Sequence, residues 1–101
     1  MTKQPVHVAL VEVRRLTGCV LAGPGTAGAF ARCYVRGDDP RKARRAIARA
    51  LHSSRLSVKK IEWCVREDQV KWERADSRAA KRCVEEARKS GLVVIGRLDT
   101  W

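Results

Sequence analysis

The chain lacks acidic side chains where its basic ones are densest: the stretch from Arg41 to Lys60 carries Arg41, Lys42, Arg44, Arg45, Arg49, Arg55, Lys59 and Lys60 and no Asp or Glu. It also lacks any apolar run near the roughly 20 residues that a membrane-crossing helix needs. Its first residues, Met-Thr-Lys-Gln-Pro-Val-His, do not follow the basic, apolar, small-residue order of a secretory signal. A soluble, cytoplasmic protein with no membrane partner is expected. Cys19, Cys33, Cys64 and Cys83 lack the paired spacing of a zinc ribbon or a redox motif, and without an export signal they read as reduced core thiols. His7 and His52 stand apart from one another and from any cysteine at ligand spacing, so no metal is assigned. No Ser or Cys sits in a nucleophile elbow, and Asp38, Asp39, Glu67, Asp68, Glu85 and Glu86 are used as caps, turn residues or ion-pair partners. Catalytic residues and cofactors are therefore not assigned either.

Aromatic residues are scarce, 5% of the chain against 33% charged, yet Val, Ile, Leu and Ala recur in periodic runs, which argues against disorder. The 101 residues suit one domain with one core. The formal net charge is +11, and Arg41 to Lys60 supplies eight of those units while the rest nearly balances. Such a surplus describes what a protein meets in solution, not how it folds.

The periodicity predicts a helix from Pro40 to His52, with Ala43, Ala46, Ile47, Ala50 and Leu51 on its apolar stripe. Asp39 is its natural N-cap, and Pro40 fits the first helical position, where a missing N–H costs nothing. A second helix is expected from Asp76 to Ser90, stopping at Gly91, with Ala80, Cys83, Val84 and Ala87 inward. Its charges form opposite-sign pairs four residues apart, Glu85 with Lys89 and Arg82 with Glu86. Elsewhere the period is two. Ala29 to Arg36 and Lys60 to Arg66 read as strands, Leu92 to Leu98 as a last strand, and Val70 with Trp72 as a short one. Ala27, Phe30, Ala31, Tyr34 and Val35 also match helical spacing, but the Gly37-Asp38-Asp39-Pro40 cluster and the Cys-Tyr-Val run favour a strand. Val6 to Val13 is an apolar run typical of a strand covered on both sides. Residues 1–28 hold this strand and, at Cys19 to Ala22, room for another.

The order implies an α+β domain on the ferredoxin-like plan, βαββαβ, an antiparallel sheet with two helices on one face and an extra N-terminal strand. That architecture hosts too many functions to imply one. Gly23-Pro-Gly25-Thr-Ala-Gly28 spells the GxGxxG of dinucleotide-binding folds, but the fingerprint needs a helix directly after it, and the best continuation here is a strand. A flexible turn between strands is the plainer reading.

On a helical wheel Arg41, His52, Arg45, Arg49 and Lys42 fall within about 100° of arc opposite the apolar stripe. Arginine grips phosphate oxygens in a fork, so Arg41, Lys42, Arg45 and Arg49, extended by Lys59 and Lys60, are the expected polyanion contacts, with nucleic acid backbone as the first choice of partner. If Ala31, Cys33 and Val35 face the helices, Phe30, Arg32, Tyr34 and Arg36 line the other sheet face, either as a base-stacking surface or buried in an interface. The sequence thus reads as a non-enzymatic binding module. The alternative is a protein-interaction module, a homodimer through the sheet or a partner of an acidic protein, anchored by Phe30, Tyr34, Trp72 or Trp101.

Overall fold

The first strand, β1 (Val6–Arg15), is apolar on both of its faces, and the rest of the fold is arranged to cover both. The computed structural model describes residues 4–72 and 77–101. β1 pairs antiparallel with β2 (Gly28–Arg36) on one side and with β3 (Leu56–Arg66) on the other, and β2 pairs antiparallel with β4 (Val94–Thr100). The sheet order is β3-β1-β2-β4. Helix α1 (Pro40–Ser53) joins β2 to β3 across β1, and α2 (Ser77–Ser90) lies between β3 and β4. A single 3-10 turn, Glu67–Gln69, follows β3.

Side-chain parity assigns the two helices to opposite faces of the sheet. Ala9, Val11 and Val13 of β1 and Ala29, Ala31, Cys33 and Val35 of β2 point to one side, where they pack with Ala43, Ile47 and Leu51 of α1. The alternate residues Val6, Val8 and Tyr34 point to the other side and pack with Val84 and Ala87 of α2. The cross-strand register agrees, pairing Ala9 with Cys33 on the first face and Val8 with Tyr34 on the second. Neighbouring residues in a strand face opposite ways, so the two clusters are separated by the sheet itself.

This is an α+β domain, and it departs from the expected plan in its helix faces and in its strand count. The helices do not share a face. The sheet has four strands, because Val70 and Trp72 are not in a strand, and the N-terminal strand is one of the four, not an addition to them. β1 lies between β2 and β3, a position the element order alone left open. Its apolar character on both faces is the physical reason for a helix on each side: with one face uncovered, Val8 or Val11 would be left in water. Residues 16–27 form one connection between β1 and β2, and Cys19 to Ala22 is not a strand. Cys19 and Ala22 are buried in the α1-side core, and Arg15 holds their carbonyls, donating from Nε to Ala22 at 2.9 Å and from Nη2 to Cys19 at 3.1 Å. The glycine-rich motif falls in this connection and runs into β2, so no helix N-terminus meets it.

The helix ends follow from local chemistry. Asp39 is extended and its Oδ1 accepts from the Arg41 N–H at 2.9 Å, with Pro40 opening α1. His7, buried at the start of β1, donates from Nδ1 to the Gly37 carbonyl at 2.8 Å and fixes the turn that leads into the helix. At the other end Arg55 takes the left-handed conformation, φ 62°, that reverses the chain into β3. The expected start of the second helix at Asp76 lies outside the described residues; its end is at Gly91, whose φ of 70° suits a residue without Cβ. Gly96 serves closeness, since a Cβ there would come within 2.9 Å of the Tyr34 ring and 3.6 Å of Cys83 Sγ. It sits in a bulge where Gly96 and Arg97 together oppose Arg32, and it brings α2 down onto β4.

Candidate nucleic-acid interface

The outward face of α1 is built by the same periodicity that buries its other side. With Ala43, Ile47 and Leu51 fully enclosed, Arg41, Lys42, Arg45, Arg49 and His52 are exposed. Arg41 to Arg49 spans about 12 Å along the helix axis. Among the described residues, no carboxylate lies within ion-pair distance of Arg41, Lys42, Arg45 or Arg49. Arg44, on the flank of this stripe, reaches the Cys64 thiol on β3. Arg41, Arg45 and Arg49 repeat every four residues, so neighbouring like charges repel along the stripe.

Lys59 and Lys60 are placed differently. They lie on β3, an edge strand that carries two bulges against β1, one of them at Lys59 and the other at Glu62. Lys59 pairs with Glu12 and Lys60 with Glu62, both at 3.6 Å. Glu12 is on the sheet face away from α1, so the structure separates these lysines from the helix stripe. Lysines and bulges on an edge strand also blunt its capacity to pair with another chain.

Of the expected sheet-face group, Tyr34 is buried under α2, and Phe30 and Arg32 are partly exposed farther along the same face. Arg36 caps α2, its Nη1 donating to the Arg88 carbonyl at 3.0 Å, a cation at the negative end of the helix. The parity expected for Ala31, Cys33 and Val35 is present, but α2 occupies part of the face that Phe30, Arg32, Tyr34 and Arg36 share. The sequence reading missed Arg88, which joins three segments: it pairs with Glu67 and Glu85 and donates from Nε to the Gln4 carbonyl at 3.0 Å. The pairs expected on α2, Glu85 with Lys89 and Arg82 with Glu86, do not close among the described residues; Glu85 turns instead to Arg88.

The thiols are chemically quiet. Burial, with Cys64 nearby, pushes Cys33 up to about 12, and burial raises Cys64 despite the opposing effect of Arg44. Burial also lifts Cys83, with Glu86 adding to it and Arg82 opposing. Tyr34 is pushed up to about 12, first by burial and then by Cys83, against the effect of Arg32. Thiolate at Cys33, Cys64 and Cys83 is therefore scarce at neutral pH. Among the described residues no three His, Cys, Asp or Glu side chains converge to hold a metal ion. The same shifts make a stability prediction. The unfolded chain releases the Cys33 and Tyr34 protons near 9 and 10, whereas the folded chain keeps them to about 12. More protons are bound in the folded state across that window, so stability is full below pH 9 and falls as pH rises toward 12. Urea midpoints measured from pH 8 to 11 should decline, and a Cys33→Ala variant should decline less steeply.

No helix among the described residues is long and apolar enough to cross a membrane. Comparison with protein-family models, curated proteins and solved structures gave no match. The class defined by fold and surface is a small α+β domain, a four-stranded antiparallel sheet between two helices, with one helix presenting a basic face.

Proposed function

We propose that this protein is a non-enzymatic module that docks the outer face of α1 on a polyanion, nucleic acid backbone before others. The observation that carries this reading is the exposed stripe of Arg41, Lys42, Arg45 and Arg49, without a carboxylate partner among the described residues, in a chain whose formal net charge is +11. Self-repulsion in the stripe is relieved when phosphates meet it, so binding and local helix stability reinforce one another. Phosphate contacts orient a protein on nucleic acid without reading bases, so weak sequence preference is expected. Four neutralised phosphates give a log K against log salt slope of about −3.6 on duplex DNA. Titration of labelled duplex at several salt concentrations measures that slope, and absence of binding at low salt removes the reading.

The second reading, a protein-interaction module, draws on the partly exposed Phe30 and the exposed Trp101. An acidic protein would engage the same arginines, and a homodimer would use the sheet face. Direct assay of nucleic acid, alongside the oligomeric state, separates these cases.

A further inference from the structure

All five aromatic residues of the chain lie on one side of the sheet, the side away from α1. Phe30 and Tyr34 point there from β2, and Trp63 points there from β3 opposite Leu10. Trp72 stacks on Tyr34 with ring centres 6.4 Å apart, and Trp101 packs on Phe30 at 5.1 Å. The α1-side core contains none of them. α2 covers Val6, Val8 and Tyr34 at one end of this face. Toward the other end Phe30 is partly exposed, Trp101 is 53% exposed, and the Trp101 ring lies against Gly28. The Arg32 guanidinium sits 5.8 Å from the centre of the Trp72 ring.

The Trp72 end of the face is mixed in charge, with Glu67, Asp68 and Glu85 beside Lys81, whereas the Phe30 and Trp101 end is basic. Among the described residues the carboxylates at that end, Glu12 and Asp99, are ion-paired with Lys59 and Arg97, and Arg14 and Lys59 line the hollow beside Trp101. A homodimer through this face would set each patch against its own copy and bring two chains of +11 together, which like-charge repulsion opposes. A polyanion is drawn to it instead. Duplex nucleic acid keeps its bases stacked inside, whereas a single strand offers both phosphates and exposed base faces, the two things that planar rings among basic side chains hold best.

We infer that the aromatic end of this face, centred on Phe30 and Trp101 with Arg14 and Arg32 beside them, binds single-stranded nucleic acid by base stacking. The inference rests on the polyanion reading and names the partner for a second surface, on the opposite side of the molecule from α1.

The test titrates the full chain with labelled oligo(dT) and with a labelled duplex of the same length, following anisotropy and intrinsic tryptophan fluorescence. All three tryptophans are on this face, so oligo(dT) should quench the emission of the unmodified protein and the duplex should not. Trp101→Ala and Phe30→Ala should each weaken oligo(dT) binding by about tenfold and leave duplex binding unchanged. Equal binding of strand and duplex, with no quenching and no effect of either variant, overturns the inference and leaves the α1 reading standing. Failure of both ligands to bind at low salt overturns both. Release of a dimer to monomers by Phe30→Ala overturns the inference in favour of a second copy. The quenching measurement needs no substitution, so a variant that folds poorly does not remove the test.

Discussion

Replacing Arg41, Arg45 and Arg49 together by glutamate is expected to abolish polyanion binding and to flatten its salt dependence. Three of four phosphate contacts become repulsive, so affinity for duplex should fall by at least about a hundredfold and the slope should approach −1 or less. All three side chains are exposed, and the apolar stripe beneath them is untouched, so the fold should persist. Arg45→Glu alone sharpens the point. Arg45 is four residues from both Arg41 and Arg49, so one substitution turns two repulsive pairs into two attractive ones, each worth about 0.2–0.5 kcal/mol. That variant should unfold at a temperature about 2–5 °C higher and bind duplex about tenfold more weakly. Opposite changes in stability and affinity at one position mark a residue kept for contact and not for folding. Unchanged duplex affinity in the triple variant would sink the α1 reading.

Truncation of Ile47 to alanine should lower stability by about 2–5 kcal/mol, a large part of the 5–15 kcal/mol typical of a small domain. Ile47 is fully enclosed at the centre of the α1-side core, between Ala43 and Leu51 on its own helix. Val84→Ala on α2 empties the other core and should cost somewhat less, since a smaller side chain is removed. The two losses should add to within about 0.5 kcal/mol, because the sheet separates the two sites and they share no packing partner. Helices on a common face would put Ile47 and Val84 in one core and couple them. A urea double-mutant cycle decides between these arrangements.

Both helices and the strands around them could be found from local pattern. Asp39, Pro40 and Gly91 mark helix ends through chemistry that needs no tertiary partner: a side-chain acceptor, a ring that pre-sets φ, and a residue free to turn left-handed. The basic stripe is the polar complement of the apolar one, so it was legible too. The short strand expected at Val70 and Trp72 was not found, because Trp72 is held by stacking on Tyr34 and not by a neighbouring strand. Nor could local spacing show that Lys59 has a carboxylate of its own, since Glu12 reaches Lys59 only after β1 has docked beside β3.

One clue to the architecture is present in the sequence. β1 was apolar on both faces, which already called for cover on both sides of the sheet. The βαββαβ element order, taken alone, sets both helices on one face.

By itself the sequence located both helices and the four strands, and determined which side of each helix is apolar and that Arg41, Lys42, Arg45 and Arg49 share a polar face. These follow from backbone period and from the chemistry of neighbours a few residues apart. Only the tertiary structure decided that β1 lies inside the sheet, that α2 crosses to the face opposite α1, and that every aromatic ring gathers there. Such placements depend on contacts between residues far apart in the chain, which both faces of β1 had to recruit to exclude water.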